Sequence, residues 1–472
     1  MNIHESLSGD ETLARYVESA IRECLSGTLA QCVTDQKAQQ LLFLLASTLM
    51  RQRHEQTHQR ELDAGAEDLL ETLGKTFELP AATETPAAPQ SRLSRLATAL
   101  QLDLENPLAA PALSRILKAD HAANAQREAA FVDSLKQTLA GARPQAGKLP
   151  ENATDKLALY LRAVFPDEKS LVVKSLRPIP GGLSKTTVVV ELEGARALPT
   201  GLVVRMDMPE SPLCSTVRNE FDLLRTVYEH GVAVPRPFAV EASGEVWGAP
   251  FMLVEQVAGK PVGDTIDVYG APASFGLDMA RQFARLHSIP VDRFGSSLYG
   301  AEVSTRDRML REISECAQRW QRVAFDSPSM SAALVWLERN VSLAEGPRSL
   351  IHRDTGCHNI LEHGGAVTAI LDWETTAAGC FAQDLGYVRD QIVQFMDWSA
   401  FIDAYVAAGG HRPPQASIDY YSLWGYVWVC VMAAQSRHDF MAGLAPSIQA
   451  AFAGEHILRR YLFNISKKMS QL

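Results

Sequence analysis

Paired cysteines are missing from this chain. Its seven cysteines, Cys24, Cys32, Cys214, Cys316, Cys357, Cys380 and Cys430, are odd in number, scattered, and without metal-ligand spacing. That excludes a disulfide framework or a thiolate zinc site and predicts free thiols in a reducing compartment. Positive charge is also short: a net charge of −10 argues against general nucleic-acid binding. Long hydrophobic runs are absent. The most apolar stretch, 423–434, is too short to span a bilayer and reads as a buried helix. The start, Met1-Asn-Ile-His-Glu-Ser, has neither the basic nor the apolar segment of a signal peptide. A cytoplasmic protein with no membrane partner is therefore expected. No internal repeat is visible. What remains is ordinary for a globular protein, 46% hydrophobic and 21% charged, and 472 residues exceed one typical domain.

The N-terminal part is a different kind of sequence from the rest. Residues 10–75 are rich in Ala, Leu, Glu, Gln and Arg, with apolar residues at helical spacing and a buried face at Leu41-Leu-Phe-Leu-Leu45. Pro80-Ala-Ala-Thr-Glu-Thr-Pro-Ala-Ala-Pro89 reads as a connector, 91–140 as a further helical stretch, and 141–150 as a linker. These features predict an all-α domain over 1–145. It carries no catalytic constellation, so docking, dimerisation, substrate capping and plain support all stay open.

The chemistry lies further along. Ile351-His-Arg-Asp-Thr-Gly-Cys-His-Asn-Ile360 places Asp354 and Asn359 in an H-x-D-x-x-x-x-N pattern, and Ile370-Leu-Asp-Trp-Glu374 adds Asp372 at the end of an apolar run. A turn at His363-Gly364-Gly365 would return the chain and bring Asp372 alongside. Phosphoryl transfer needs one carboxylate for the acceptor hydroxyl, and an amide plus another carboxylate for Mg²⁺ on the nucleotide phosphates. Asp354, Asn359 and Asp372 match those needs, with Asn359 and Asp372 as the metal ligands. Upstream, Arg177-Pro-Ile-Pro-Gly-Gly-Leu-Ser184 reads as a Gly-rich turn between strands. There Gly181 and Gly182 let backbone amides approach phosphate, and Ser184 adds a hydroxyl. Arg205 ends the apolar strand 201–205, and Glu220 lies on a helical run over 215–230, a cation and carboxylate that could clamp phosphates. The strand-like 250–259 could stack on adenine, with backbone groups from Glu255 to Val257 at its edge.

In this order, Gly181-Gly182-x-Ser184, Val203-Val-Arg205, Glu220, Phe251 to Gly259, Leu286-His287, His352-x-Asp354-x-x-x-x-Asn359, Leu371-Asp-Trp-Glu374 and Asp384-Leu385 resemble the motifs of the aminoglycoside phosphotransferase and choline kinase superfamily. The likeness covers roughly residues 170–460. It is most similar to the subfamily of hydroxyacyl-CoA kinase domains, some fused to acyl-CoA dehydrogenases, through Arg205, Arg319-Trp320 and Trp336-Leu337. The resemblance implies an α+β, bilobal protein-kinase-like fold over 151–472, preceded by the all-α domain. Its small β-rich lobe would run over about 165–258 and its large helical lobe over about 259–472. It implies an ATP- and Mg²⁺-dependent phosphotransferase with a small-molecule alcohol acceptor, and Asp384 as an anchor of the catalytic loop. The chain departs from the family at Arg353, where the family carries Gly, and at Gly379-Cys-Phe-Ala-Gln-Asp384, where the family often has Gly-Asp-Pro. No Gly-x-Gly-x-x-Gly, Asp-Phe-Gly or Ala-Pro-Glu motif is present, which excludes a protein kinase with a regulated activation loop.

The acceptor stays open between a hydroxyacyl-CoA and an aminoglycoside or other antibiotic, beside a non-catalytic nucleotide-binding scaffold. Aminoglycosides are polycations and call for carboxylates. The run 304–322 instead carries Arg306, Arg308, Arg311, Arg319 and Arg322, and the chain end is basic. These arginines are either a basic cap for an anionic acyl-CoA or a solvated helix face. Cys357, inside the catalytic loop, is either a packing residue or a reactive thiol.

Overall fold

The computed structural model describes residues 62–75, 89–138, 151–179, 185–208, 216–263, 268–323, 326–442, 444 and 453–472. The chain divides into two compact units, one of Ala146–Met309 with Ser342–Ser422, the other of Met1–Gln145, Leu310–Val341 and Leu423–Leu472.

The first of these begins with five antiparallel strands, β1 (Val172–Ile179), β2 (Lys185–Glu193), β3 (Gly201–Asp207), β4 (Pro237–Glu241) and β5 (Phe251–Glu255), in the order β1-β2-β3-β5-β4. Alternation along β2 and β3 buries Val188, Val190, Leu202 and Val204 against Leu157 and Leu161 of the Ala153–Val164 helix. That leaves the opposite face of the two strands for polar residues. Between β3 and β4 the Val217–Glu229 helix starts at Thr216, whose side chain accepts from Asn219 N, as an N-cap residue does.

After β5 the fold turns helical, with Ala273–His287 packed on the Trp398–Ala407 helix. Short strands β7 (Arg348–Ile351) and β10 (Ala377–Cys380) pair antiparallel, and β6 (Lys260–Pro261), β8 (Ile360–His363) and β9 (Ala366–Ile370) form a second small sheet. The expected turn joins β8 to β9 through Gly364 at φ 61° and Gly365 at φ 82°, the left-handed pair a tight hairpin requires. Strand β9 stops at Ile370, short of Asp372, because Asp372 itself adopts a left-handed conformation at φ 67°. This mixed α+β architecture agrees with the expected class.

The other unit is helical. The stretch 91–140, expected as one helical run, is two helices, Pro89–Leu102 and Ala109–Thr138. They break where Pro107 disfavours a helical Asn106, whose side chain instead accepts from Leu108 N at 3.0 Å. These helices share their unit with Pro328–Arg339: Ser329 N donates to the partly buried Asp120 carboxylate at 3.2 Å, and Arg339 donates to the Leu102 carbonyl at 2.7 Å. The apolar 423–434 stretch lies within the Gln415–Met441 helix, with Leu423, Trp424, Val427, Cys430 and Val431 buried as expected. Among the described residues no helix is long and apolar enough to cross a membrane. The Leu41–Leu45 run, most of the 80–89 connector and the 141–150 linker lie outside the described residues.

Candidate active site

The loop after β7 is held by one carboxylate. Asp384, fully buried at the start of the Ala382–Ile392 helix, accepts from His352 N at 2.8 Å and Arg353 N at 2.7 Å. His287 Nε2 lies 3.1 Å from the same carboxylate, and its Nδ1 lies 2.9 Å from the Tyr405 hydroxyl. The Asp384 carbonyl accepts from Thr355 Oγ1 at 3.1 Å, and Gln391 accepts from Cys357 N at 2.8 Å. This is the anchoring expected of Asp384. Between those anchors Arg353 is forced to φ 74°, which explains why a family member would carry glycine there. The Arg353 guanidinium lies 5.6 Å from the Tyr299 ring centroid.

Within the loop the side chains converge on Asp354. Asn359 Nδ2 donates to its Oδ2 at 2.9 Å and to its carbonyl at 3.1 Å. Tyr387 donates to Oδ1 at 2.8 Å, and His358 Nε2 lies 3.5 Å from the same oxygen. Burial acts to raise the Asp354 carboxyl. The hydrogen bond and charge of His358, the charge of His352 and the Tyr387 hydroxyl outweigh it and hold the group down at about 2. So placed, Asp354 is an ionised acceptor of hydrogen bonds rather than a strong base. Cys357 is buried, and desolvation pushes its thiol up to about 12, so it is a packing residue and not a thiolate.

The segment after β9 folds back on this loop. Leu371 N donates to the Asn359 carbonyl at 2.7 Å, and His352 Nε2 lies 2.9 Å from the Leu371 carbonyl. Asp372 is thereby brought beside Asn359. Arg205 on β3 reaches it, with Nη2 3.0 Å from Asp372 Oδ1 and 3.5 Å from Glu220 Oε1. Burial works against the Arg205 charge, and Glu220, Asp372 and Glu374 more than restore it, so its pKa is raised. Burial pushes the Glu220 carboxyl up. The residues expected as clamp and loop are therefore together: Asp354, Asn359, Asp372, Arg205 and Glu220. Glu255 closes β5, where its N–H is spent on the Arg236 carbonyl and the next amide, Gln256 N, on Gly201 O. Val257 follows just beyond. Gly181, Gly182 and Ser184 lie outside the described residues.

The donor set suits a hard cation. With Asn359 Nδ2 turned to Asp354, its amide oxygen is the atom left for a cation, and Asp372 supplies a carboxylate. No cluster of three His, Cys, Asp or Glu residues forms a metal cage among the described residues. Magnesium commonly takes one or two protein oxygens and completes its shell with phosphate and water.

Four residues at this site escaped the sequence reading. Lys185, the first residue of β2, is buried with Nζ 3.1 Å from Asp207 Oδ1 and 3.7 Å from Glu374 Oε2. Its strand partner Asp207 was also missed. Tyr387 sits one helical turn beyond Asp384 and shares its face, a spacing that pointed to the loop. His358 precedes Asn359 in the motif itself. The arginine cap is thinner than the sequence implied. Arg308 is fully buried and donates to Gln383 at 2.7 Å, and Arg306 pairs with Glu345 at 3.2 Å.

Comparison with known proteins agrees with this geometry. The model of the phosphotransferase enzyme family (APH) matches residues 175–421. The rat acyl-CoA dehydrogenase family member 11 is 27% identical over 252 residues, 51% of this chain and 31% of that protein, so the chain spans about a third of its length. The Escherichia coli hygromycin-B 4-O-kinase is 27% identical over 124 residues, 26% of this chain and 35% of that protein. A solved Ralstonia eutropha structure assigned as an aminoglycoside phosphotransferase shares the fold at a TM-score of 0.50 and 20% identity, covering 67% of this chain and 98% of that one. With its family model matched across the small sheet, the catalytic loop and the Asp372 segment, the chain belongs to the phosphotransferase enzyme family.

Proposed function

We propose that this protein moves the γ-phosphoryl of ATP, with Mg²⁺, to a hydroxyl of a small molecule, and that the acceptor is a hydroxyacyl-CoA. The observation that carries the reaction is the convergence of Asp354, Asn359 and Asp372, with Arg205 and Glu220 against them. Asp354 orients the acceptor hydroxyl and takes its proton late. Its low pKa suits a loose transition state that needs little early base assistance. Asn359 fixes the Asp354 carboxylate and, with Asp372, would hold Mg²⁺, which neutralises charge on the phosphates when bound. Arg205, kept charged by Glu220, faces the non-transferred phosphates. Gly181, Gly182 and Ser184 are assigned to the same phosphates, and backbone groups from Glu255 to Val257 to the adenine edge. In this reading the phosphotransferase domain occupies 151–472, with 1–145 as an N-terminal region that shares a compact unit with Leu310–Val341 and Leu423–Leu472.

The acyl-CoA acceptor rests on subfamily likeness and on the match to an acyl-CoA dehydrogenase family member, not on the arginine helix, which keeps Arg308 in the core. The match to a hygromycin kinase favours an aminoglycoside as the second reading. Mass spectrometry of phosphate transfer separates them, using 3- and 4-hydroxyacyl-CoA thioesters beside an aminoglycoside and choline panel. Asp354→Asn serves as the control. A phosphorylated acyl-CoA that disappears in the control is expected. Phosphate on an aminoglycoside alone would overturn the acceptor, and no transfer to any acceptor would sink the reading.

A further inference from the structure

The register of β2 and β3 puts Lys185 opposite Asp207 and Thr187 opposite Arg205. Residues two apart on a strand share a face, so Lys185, Thr187, Arg205 and Asp207 all lie on one side of the small sheet. On that side stand two carboxylates from the Leu371-Asp-Trp-Glu374 segment. Each meets one cation: Arg205 lies 3.0 Å from Asp372, and Lys185 lies 3.7 Å from Glu374. Asp207 holds Lys185 at 3.1 Å and also accepts from Val217 N at 3.1 Å, the first residue of the helix that carries Glu220. The contacts close a ring. It runs from Lys185 through Asp207 to the Val217–Glu229 helix, on through Glu220, Arg205 and Asp372, and back through Glu374 to Lys185.

A buried ammonium is costly unless it is paired, and this one stands at the first residue of β2. An ordinary core position has no use for it. We infer that Lys185 is a positioning residue of the nucleotide site, tying the start of β2 to Glu374 so that β2 and the Asp372 segment are set as one unit. Arg205 makes the same crossing beside it. The two struts together fix the separation between the β2–β3 pair and the metal-binding segment. This inference rests on the nucleotide reading above and gives Glu374 its part in that site: it is the anchor for the start of β2.

The test is calorimetric titration of MgADP into wild type, Lys185→Met, Lys185→Arg, Glu374→Gln and the Lys185→Met/Glu374→Gln double variant, with melting temperatures taken without nucleotide. Lys185→Met should bind MgADP at least about fivefold more weakly, and Lys185→Arg should recover most of that loss. The double variant should bind no worse than the weaker single one, because each substitution breaks the same strut. In turnover assays KM for ATP should rise while KM for the acceptor stays put. Wild-type affinity in Lys185→Met, or losses that multiply in the double variant, would overturn the inference while leaving the nucleotide site standing. Failure of wild type to bind MgADP would remove the nucleotide reading and this inference with it. Should Lys185→Met not fold, Glu374→Gln and the double variant, which leaves no unpaired charge across the strut, carry the comparison.

Discussion

Asp384→Ala should damage the loop far more than its distance from the reacting atoms suggests. The Asp384 carboxylate is wholly buried and serves His352 N, Arg353 N and His287 Nε2 at 2.8, 2.7 and 3.1 Å. Removing it leaves three buried donors without their acceptor. Each such loss costs about 1–3 kcal/mol, so the variant should be destabilised by about 3–9 kcal/mol. The same bonds hold Arg353 at φ 74°. Without them the backbone can relax toward a right-handed conformation, and Asp354, the next residue, swings out of register with Asn359 and Tyr387. A misplacement of that kind costs about a hundredfold in turnover. Urea unfolding and steady-state kinetics, run side by side, give both numbers. The expected pattern is a large fall in midpoint and in kcat with KM for ATP little changed, since Arg205, Glu220 and Lys185 are not touched. A variant that melts with wild type and keeps its kcat would refute the view that Asp384 sets the loop.

Further consequences are read from the same contacts. Asp354→Asn should lower kcat by about 10²- to 10⁴-fold while nucleotide affinity is kept, which calorimetry and turnover together would check. Arg205→Met removes the partner of buried Glu220 and of Asp372; a loss of about 3–5 kcal/mol in urea unfolding is expected, together with weakened MgADP binding, and unchanged binding would count against the clamp. The Asp354 carboxyl is held at about 2, below its ordinary 3.8, so its contribution to stability is complete above about pH 4 and is lost as pH falls through about 2. The difference corresponds to about 2 kcal/mol. In His358→Gln that depression should shrink, which carboxyl ¹³C titration of Asp354 would detect; an unmoved titration would mean that His358 is not its cause.

What could be read from the sequence was what lies close along the chain. Asp354, Asn359 and Asp372 fall within one loop and the hairpin after it, so spacing alone brought them together. Arg205 and Glu220 were legible because an apolar strand ending in a cation, followed by a helix, leaves few places for either. Lys185 was not. In Ser-Lys-Thr-Thr it looks like a solvated residue at a strand start. Only the pairing of β2 with β3 puts it opposite Asp207 and turns it inward toward Glu374. Arg308 failed in the opposite sense: counted with a basic face, it is core, with Nη2 donating to Gln383. In both cases the deciding quantity was burial of a charged side chain, and burial depends on register and packing against residues far along the chain. Arg353 lies between these extremes. Its identity was visible as a departure from the family glycine, but the reason for that glycine, a left-handed backbone held by Asp384, required the fold. The chain keeps a side chain where glycine is the unstrained choice, and it sets that guanidinium over Tyr299 directly before Asp354.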